Sequence, residues 1–247
     1  MNKNKRGSHV GIMVSFMIFI TFVVFFLSVV TTKVEKNKNK EITLEYIEMK
    51  ILRNTSYPLT NAIINITQQA GDNACVELKD LFIYLNSTSY GGIVKDYSNN
   101  LQSSYVDNEE IQKNLKINRS DSGETFFELS LSPAFEKFTS NDDLTCTLKI
   151  NPESYRFLSI RKDNIYSFEN EFERLNQSYS SNYEELKREL FVPEGNEFTF
   201  EFEKSNGEVI KPSVNLTTSN IYSDEVPIQY IDKNGDIQSG FLRVKIG

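Results

Sequence analysis

An unbroken run of 21 uncharged residues, Val10 to Val30, constrains this chain of 247 residues more than any other feature. Nearly all of them are apolar, and at about 1.5 Å of rise per residue a helix of that length crosses a hydrocarbon core of about 30 Å. The buried helix of a water-soluble core is normally shorter and has amphipathic neighbours. A cleavable secretory signal is the stronger rival, because Lys3, Lys5 and Arg6 form a positive segment ahead of the run. The run is longer than such a signal needs, and Leu27-Ser28-Val29-Val30-Thr31-Thr32 offers no small-x-small cleavage site. The expectation is a retained single-pass anchor at residues 10–30 behind a short leader at 1–9, with membrane lipid as its partner. His9 is the sole histidine and stands at the membrane boundary, where an imidazole reaches the headgroup region and stays hydrated.

The rest of the chain must be distinctly polar, since mean hydropathy is −0.40 even with that run included. A formal net charge of −7 argues against nucleic acid as a partner, because phosphate binding relies on clustered Lys and Arg. Eighteen Phe and twelve Tyr with no Trp suit pleated, half-buried strands. Lys33 to Lys40, almost entirely Lys, Asn and Glu, reads either as a polar linker over 31–41 or as a continuing solvated helix. Beyond it, residues 42–247 are expected to form one β-rich domain, subdivided near residue 155.

Within that domain, Ile42 to Leu52 is read as a strand closed by the break at Tyr57-Pro58. Leu59 to Thr67, Cys75 to Leu85, Thr125 to Leu131 and Leu144 to Ile150 show short apolar runs or alternation between polar connections. Phe127, Leu129 and Leu131 would share one buried face. A capping-box spacing at Ser181 and Glu184 opens a helix to Leu190, and Phe168, Phe172 and Leu175 mark a second short one. Phe198, Phe200 and Phe202 alternate with Thr199, Glu201 and Glu203 and lead into an Asn206-Gly207 turn expected to be type I′. Val226, Ile228 and Tyr230 form a second hairpin with Leu242, Val244 and Ile246 through Asn234-Gly235. The fold class these signals predict is mainly β, an antiparallel sandwich-like ectodomain with one or two short helices, preceded by one N-terminal transmembrane α-helix.

Signals for chemistry are sparse. Cys75 and Cys146 are the only cysteines and lie in strands of one β unit; in an oxidising compartment they would pair. Two cysteines without CxxC spacing build neither a structural zinc site nor a redox motif. N-x-[ST] sequons at Asn54, Asn65, Asn86, Asn118, Asn176 and Asn215 are candidate N-glycosylation acceptors, although composition alone yields about four. Asp232, Asn234 and Asp236 alternate like calcium-loop oxygens, but Ile237 and Arg243 stand where such a loop needs Gly and Glu, and a hairpin turn explains them better. There is no GxSxG elbow, phosphate loop or HExxH, and with the one histidine at the membrane the domain holds no Ser-His or Cys-His pair. The carboxylate pairs Glu109-Glu110 and Asp142-Asp143 read as solvated turns. No catalytic residue, cofactor site or metal site is expected, and the reading is of a protein that is not an enzyme.

The opening KNKRGSHVGIMVSFMIFITFVVFF resembles the class III signal and hydrophobic helix of archaeal type IV pilin-like proteins. The resemblance implies that Lys5, Arg6 and Gly7 end a leader cut on the cytoplasmic side, that Ser8 becomes the new N-terminus, and that the helix anchors the protein and forms the fibre core on assembly. These pilins usually carry Glu at the fifth mature position, where Ile12 stands here, which favours a pilin-like or minor membrane component over a major fibre subunit. NYEELKRELFVPEGNEFTFEF and VPIQYIDKNGDIQSGFLRVKIG also look like the ends of archaeal membrane-anchored proteins. Lys33, Lys36, Lys38 and Lys40 outnumber the basic residues before the span, so charge bias does not itself place the domain outside; the cysteines and the resemblance do. The resulting expectation is a single-pass surface or pilin-like structural protein of the cell membrane, its domain extracytoplasmic, assembling with itself or with other membrane or surface proteins. The alternative is an extracytoplasmic ligand-binding or sensor module acting with a membrane partner.

Overall fold

A computed structural model describes residues 7–66, 75–85, 91–107, 113–118, 125–140, 146–213, 216 and 220–247, with the backbone alone for 7–10, 29–39 and 163. The chain begins with one continuous helix, α1 (Gly7–Thr55), of 49 residues. No Gly or Pro stands between Gly11 and Pro58, so nothing in that stretch breaks the helical ladder. Of the two readings of residues 33–40, the continuing helix is the one realised. Tyr57-Pro58 ends it, because the residue before a proline is pushed out of the α region.

The strand expected over residues 42–52 is therefore helix. Leu44, Ile47, Glu48, Ile51 and Thr55 are its buried residues and recur at helical spacing. The sequence misleads because Glu48 interrupts the apolar stripe, leaving Leu44 and Tyr46 looking like a two-residue period.

The chain then enters β1 (Ser56–Ile66), followed by β2 (Cys75–Leu78), a short α2 (Leu81–Leu85), β3 (Gly91–Asp96), β4 (Leu101–Gln102), β5 (Ser104–Val106), β6 (Leu115–Asn118), β7 (Phe126–Ser132), β8 (Leu148–Ile150) and the long β9 (Tyr155–Phe168). Two helices, α3 (Glu169–Ser181) and α4 (Tyr183–Glu189), precede β10 (Phe198–Glu203), β11 (Val209–Ile210), β12 (Tyr222–Ile231) and β13 (Ile237–Ile246). Among the described residues the strands form a nine-stranded sheet of order β11-β10-β13-β12-β9-β1-β7-β3-β4 and a four-stranded sheet of order β5-β6-β2-β8. Both are mixed: β12 runs parallel to β9, and β2 parallel to β8. The β9–β12 joint is short, involving only Ser167 and Phe168 opposite Tyr230 and Ile231.

Several local expectations are corrected. The strand expected over Cys75 to Leu85 stops at Leu78, and Leu81–Leu85 is helical. The second short helix runs on to Ser181, and α4 begins after Asn182, which stands at its N-cap in place of Ser181. Neither hairpin turn is type I′. Gly207 and Gly235 have φ of +82°, while Asn206 and Asn234 are not in the left-handed region. In each turn the glycine N–H donates to the carbonyl three residues back, from Gly207 to Lys204 and from Gly235 to Asp232. This is a type I turn closed by a left-handed glycine, the pattern of a slightly longer hairpin loop.

Two main cores lie on either side of β9. In the first, Ala62, Ile64, Val94, Phe127, Leu129 and Leu131 of the large sheet and Val76, Leu78, Leu115, Ile117, Leu148 and Ile150 of the small sheet join one apolar cluster. In the second, Leu44, Ile47 and Ile51 of α1, Phe172, Leu175 and Tyr179 of α3, and Leu186 and Leu190 at α4 cover Phe198, Phe200, Phe202, Leu242, Val244 and Ile246. A smaller cluster of Leu59, Ala134, Phe135, Phe168 and Ile231 bridges them.

Phe172 is fully buried and stacks on Phe202 with ring centroids 4.0 Å apart. Phe172→Ala is expected to destabilise the detergent-solubilised protein by about 3–5 kcal/mol, measured as the shift in its urea unfolding midpoint.

Candidate functional site: the seat of the N-terminal helix

Along α1 one helix changes its environment completely. From Gly11 to Ser28 its mean hydropathy is 2.5, none of this segment is buried, and it is long and apolar enough to cross a membrane. Large apolar side chains face outward all round, among them Met13, Phe16, Met17, Phe19, Phe22 and Phe25. The hydroxyls in this stretch are satisfied internally: Thr21 donates to the carbonyls of Met17 and Ile18 at 3.1 and 2.9 Å, and Ser28 to that of Val24 at 3.0 Å. That is the behaviour required of polar groups in hydrocarbon. Gly7 and Ser8, the candidate processing residues, form the first turn of this helix, and His9 follows; nothing further is described of their side chains.

About four turns further on, the same helix is half embedded. Leu44, Ile47 and Ile51 press onto β12, β13 and α3. Thr55 closes the embedded end, its hydroxyl donating to the Ile51 carbonyl at 3.0 Å. The opposite side of the helix carries exposed Ile42, Tyr46 and Met49. Tyr46 meets the ring of Phe191 edge-on at 6.1 Å, and the Lys50 ammonium lies 4.6 Å above the Phe191 ring. Phe191 holds a φ of +55°, unusual for a bulky residue, just past Leu190, the C-cap of α4.

Glu48 is the unexpected residue in this seat. It is 5% exposed, and its Oε1 has no hydrogen-bond partner among the described residues. Burial, then the nearby carboxylates of Asp224 and Glu45, push its pKa up from 4.5 to about 7. Sequence reasoning passed over it, although a carboxylate at the i+4 position of a Leu44-Ile47-Ile51 stripe was a readable signal.

Cys75 and Cys146 are joined in a disulfide with 5.0 Å between their Cα atoms and 71 residues of sequence separation. It ties the start of β2 to the segment entering β8, two strands already paired in parallel. Of the sequons, Asn54 and Asn118 are exposed, while Asn65 is half-buried on β1. Asn176 sits inside α3 with its amide oxygen buried and unpartnered, a poor position for a glycan. Asn86 and Asn215 lie outside the described residues, as do Glu109-Glu110 and Asp142-Asp143.

The Asp232-Asn234-Asp236 loop is committed to its turn. Asp232 Oδ1 accepts the backbone N–H groups of Asn234 and Asp236 at 2.9 and 2.8 Å, and Asp236 pairs with the buried ammonium of Lys95 at 2.7 Å. That ion pair links the β12–β13 turn to β3. Beside it lies a cleft of about 420 Å³ lined by Ile93, Phe135, Glu136, Asn170, Glu173 and Asp232, with Glu173 held by Lys233 at 2.7 Å. Among the described residues, no three His, Cys, Asp or Glu side chains are grouped so as to hold a metal. On the other face of β10 and β13, Glu201 bridges Lys245 at 2.7 Å and Arg243 at 2.8 Å, and these cations hold its carboxyl below the usual range.

Reduction of the disulfide is expected to lower unfolding free energy by about 4 kcal/mol, given the length of the loop it closes. The check is urea unfolding of the solubilised protein with and without reductant, with intact mass confirming the thiol state. Comparison with known proteins finds no matching family model, no matching curated protein and no matching solved structure.

Proposed function

We propose that this chain is a non-enzymatic, membrane-anchored structural or interaction protein of the pilin-like kind, with its β-rich domain on the extracytoplasmic side. One observation carries the reading: a single 49-residue helix runs without interruption from the exposed apolar segment into the core of the domain. A module that only needs tethering works on a loose linker, which decouples its orientation from the bilayer. A continuous helix fixes the height and angle of the domain above the membrane. Fixed geometry of that sort serves assembly, in which every copy must present the same faces. Lipid around residues 11–28 and other copies or surface proteins against the domain are the partners this reading names.

The outside placement is supported by the disulfide, since such bonds persist in oxidising compartments. We read the disulfide-bonded half as sandwich-like, because its two sheets share one apolar core. The type IV pilin-like assignment rests on the leader pattern ending at Gly7. The cleft at Phe135 and Glu136 favours a second reading, a ligand-binding or sensor module that works with a membrane partner.

Intact mass and N-terminal sequencing of the membrane-extracted protein are expected to give an N-terminus at Ser8; an uncut leader sinks the pilin-type processing. Replacing residues 33–40 by a flexible Gly-Ser segment of equal length is expected to leave the protein in the membrane fraction but to abolish chemical cross-linking between neighbouring copies. Cross-linking that survives the flexible segment overturns the structural role and favours the tethered binding module.

A further inference from the structure

Glu48 occupies the middle of the α1 seat, the position where a carboxylate is least at home. Leu44, Ile47 and Ile51 surround it on its own helix, and all are buried. The charges that act on it are both negative, Glu45 one turn portion earlier on α1 and Asp224 on β12. Asp224 is exposed and pairs in register with Val244, on the helix-covered face of the sheet. Several cations on the elements packed against α1 are engaged elsewhere. Arg243 and Lys245 of β13 point to the other face and bind Glu201, Arg174 of α3 pairs with Glu171 at 2.6 Å, and Lys162 of β9 donates to the Leu85 carbonyl at 3.1 Å. On α1 itself, Lys50 lies over the Tyr46 and Phe191 rings, and Lys40 reaches Asn196. Among the described residues no ammonium or guanidinium forms an ion pair with Glu48, and its Oε1 has no donor.

We infer that Glu48 is a proton-dependent catch: the helix is firmly seated on β12 and β13 while Glu48 is neutral, and its seat loosens when Glu48 ionises. The protonated carboxyl suits an apolar contact surface and carries no repulsion from Asp224. The ionised form places an unpaired charge in that surface beside two others of the same sign, which opening of the seat relieves by hydrating it. The sign follows from the raised pKa. Below pH 4.5 the carboxyl is neutral whether seated or released, and the seat has its full strength. Between 4.5 and about 7 the released helix loses the proton first, so seating weakens as pH rises, and above about 7 the loss is complete. The device goes beyond anchoring, since it makes the stiffness of the joint between span and domain depend on the surrounding medium.

The test is hydrogen exchange of the α1 amides from residue 44 to 51 in the full-length protein in detergent micelles. Rates are taken from pH 4.5 to 8 and corrected for the intrinsic chemical rate. In the wild type the corrected exchange is expected to rise on the order of a hundredfold across that range, the span of the pKa displacement. Glu48→Gln, neutral at every pH, is expected to flatten the profile. Asp224→Asn changes an exposed side chain and removes one repelling charge, so it is expected to move the rise to lower pH and shrink it. A wild-type profile that does not vary with pH overturns the inference, as does one that Glu48→Gln and Asp224→Asn both reproduce. Should Glu48→Gln fail to fold, the Asp224→Asn displacement still decides.

Discussion

The burial of one stripe of α1 against β12 and β13 is the contact on which the rest of the molecule depends. A helix has no intrinsic reason to continue past its apolar segment once its residues become Lys, Asn and Glu, because isolated helices in water are marginal. Here the helix continues because its far end is held by Leu44, Ile47 and Ile51 in a core built with the aromatic face of β10. Each such side chain contributes about 1.5–3 kcal/mol by its removal from water. The polar stretch between the apolar segment and this seat is helical by propagation.

That seat also organises the two halves of the domain. The helix packs on the half made of α3, α4, β10 and β13, yet its chain continues directly into β1 of the other half. The strand joint between halves, β9 against β12, is only a few residues long. Its weakness is offset by the bridging cluster around Phe135 and Phe168 and by the Lys95–Asp236 pair, buried on the lysine side. The polar pair fixes the β12–β13 turn over β3 with a directionality that apolar packing alone lacks.

How much of this was legible in the sequence depended on whether a signal was local. The apolar run needs only length and absence of charge. The Phe198-Phe200-Phe202 alternation ahead of Asn206-Gly207, and Val226-Ile228-Tyr230 with Leu242-Val244-Ile246, announce two hairpins, and the register bears both out. The strand reading of 42–52 failed because a buried carboxylate disguised a helical stripe, and Glu48 stands out only once that stripe is read as helical. Both turns were placed correctly, but the type I′ expected at Asn206-Gly207 was wrong: Asn-Gly indicates a reversal, while loop length and flanking hydrogen bonds decide which residue takes the left-handed conformation. The mixed sheet order was out of reach, since the parallel joint of β9 with β12 pairs residues more than sixty positions apart and no short-range pattern encodes it. The cleft at Phe135 and the ion pair at Lys95 depend on that same long-range arrangement.

The direct passage from α1 into β1 has a mechanical consequence. Any pull on the domain relative to the apolar end of α1 enters through Thr55 and Ser56 and loads β1 lengthwise. That strand is held on one side by β9 from Ser56 to Ile66 and on the other by β7 from Thr60 to Asn65, both antiparallel. Force along a strand clamped between two neighbours shears many hydrogen bonds at once, whereas force on a hairpin end opens them one at a time. The chain thus delivers tension to a site where rupture is cooperative and slow, and forced unfolding is governed by that rate. On the membrane-anchored reading proposed above, drag on the domain is taken up in the interior of its largest sheet.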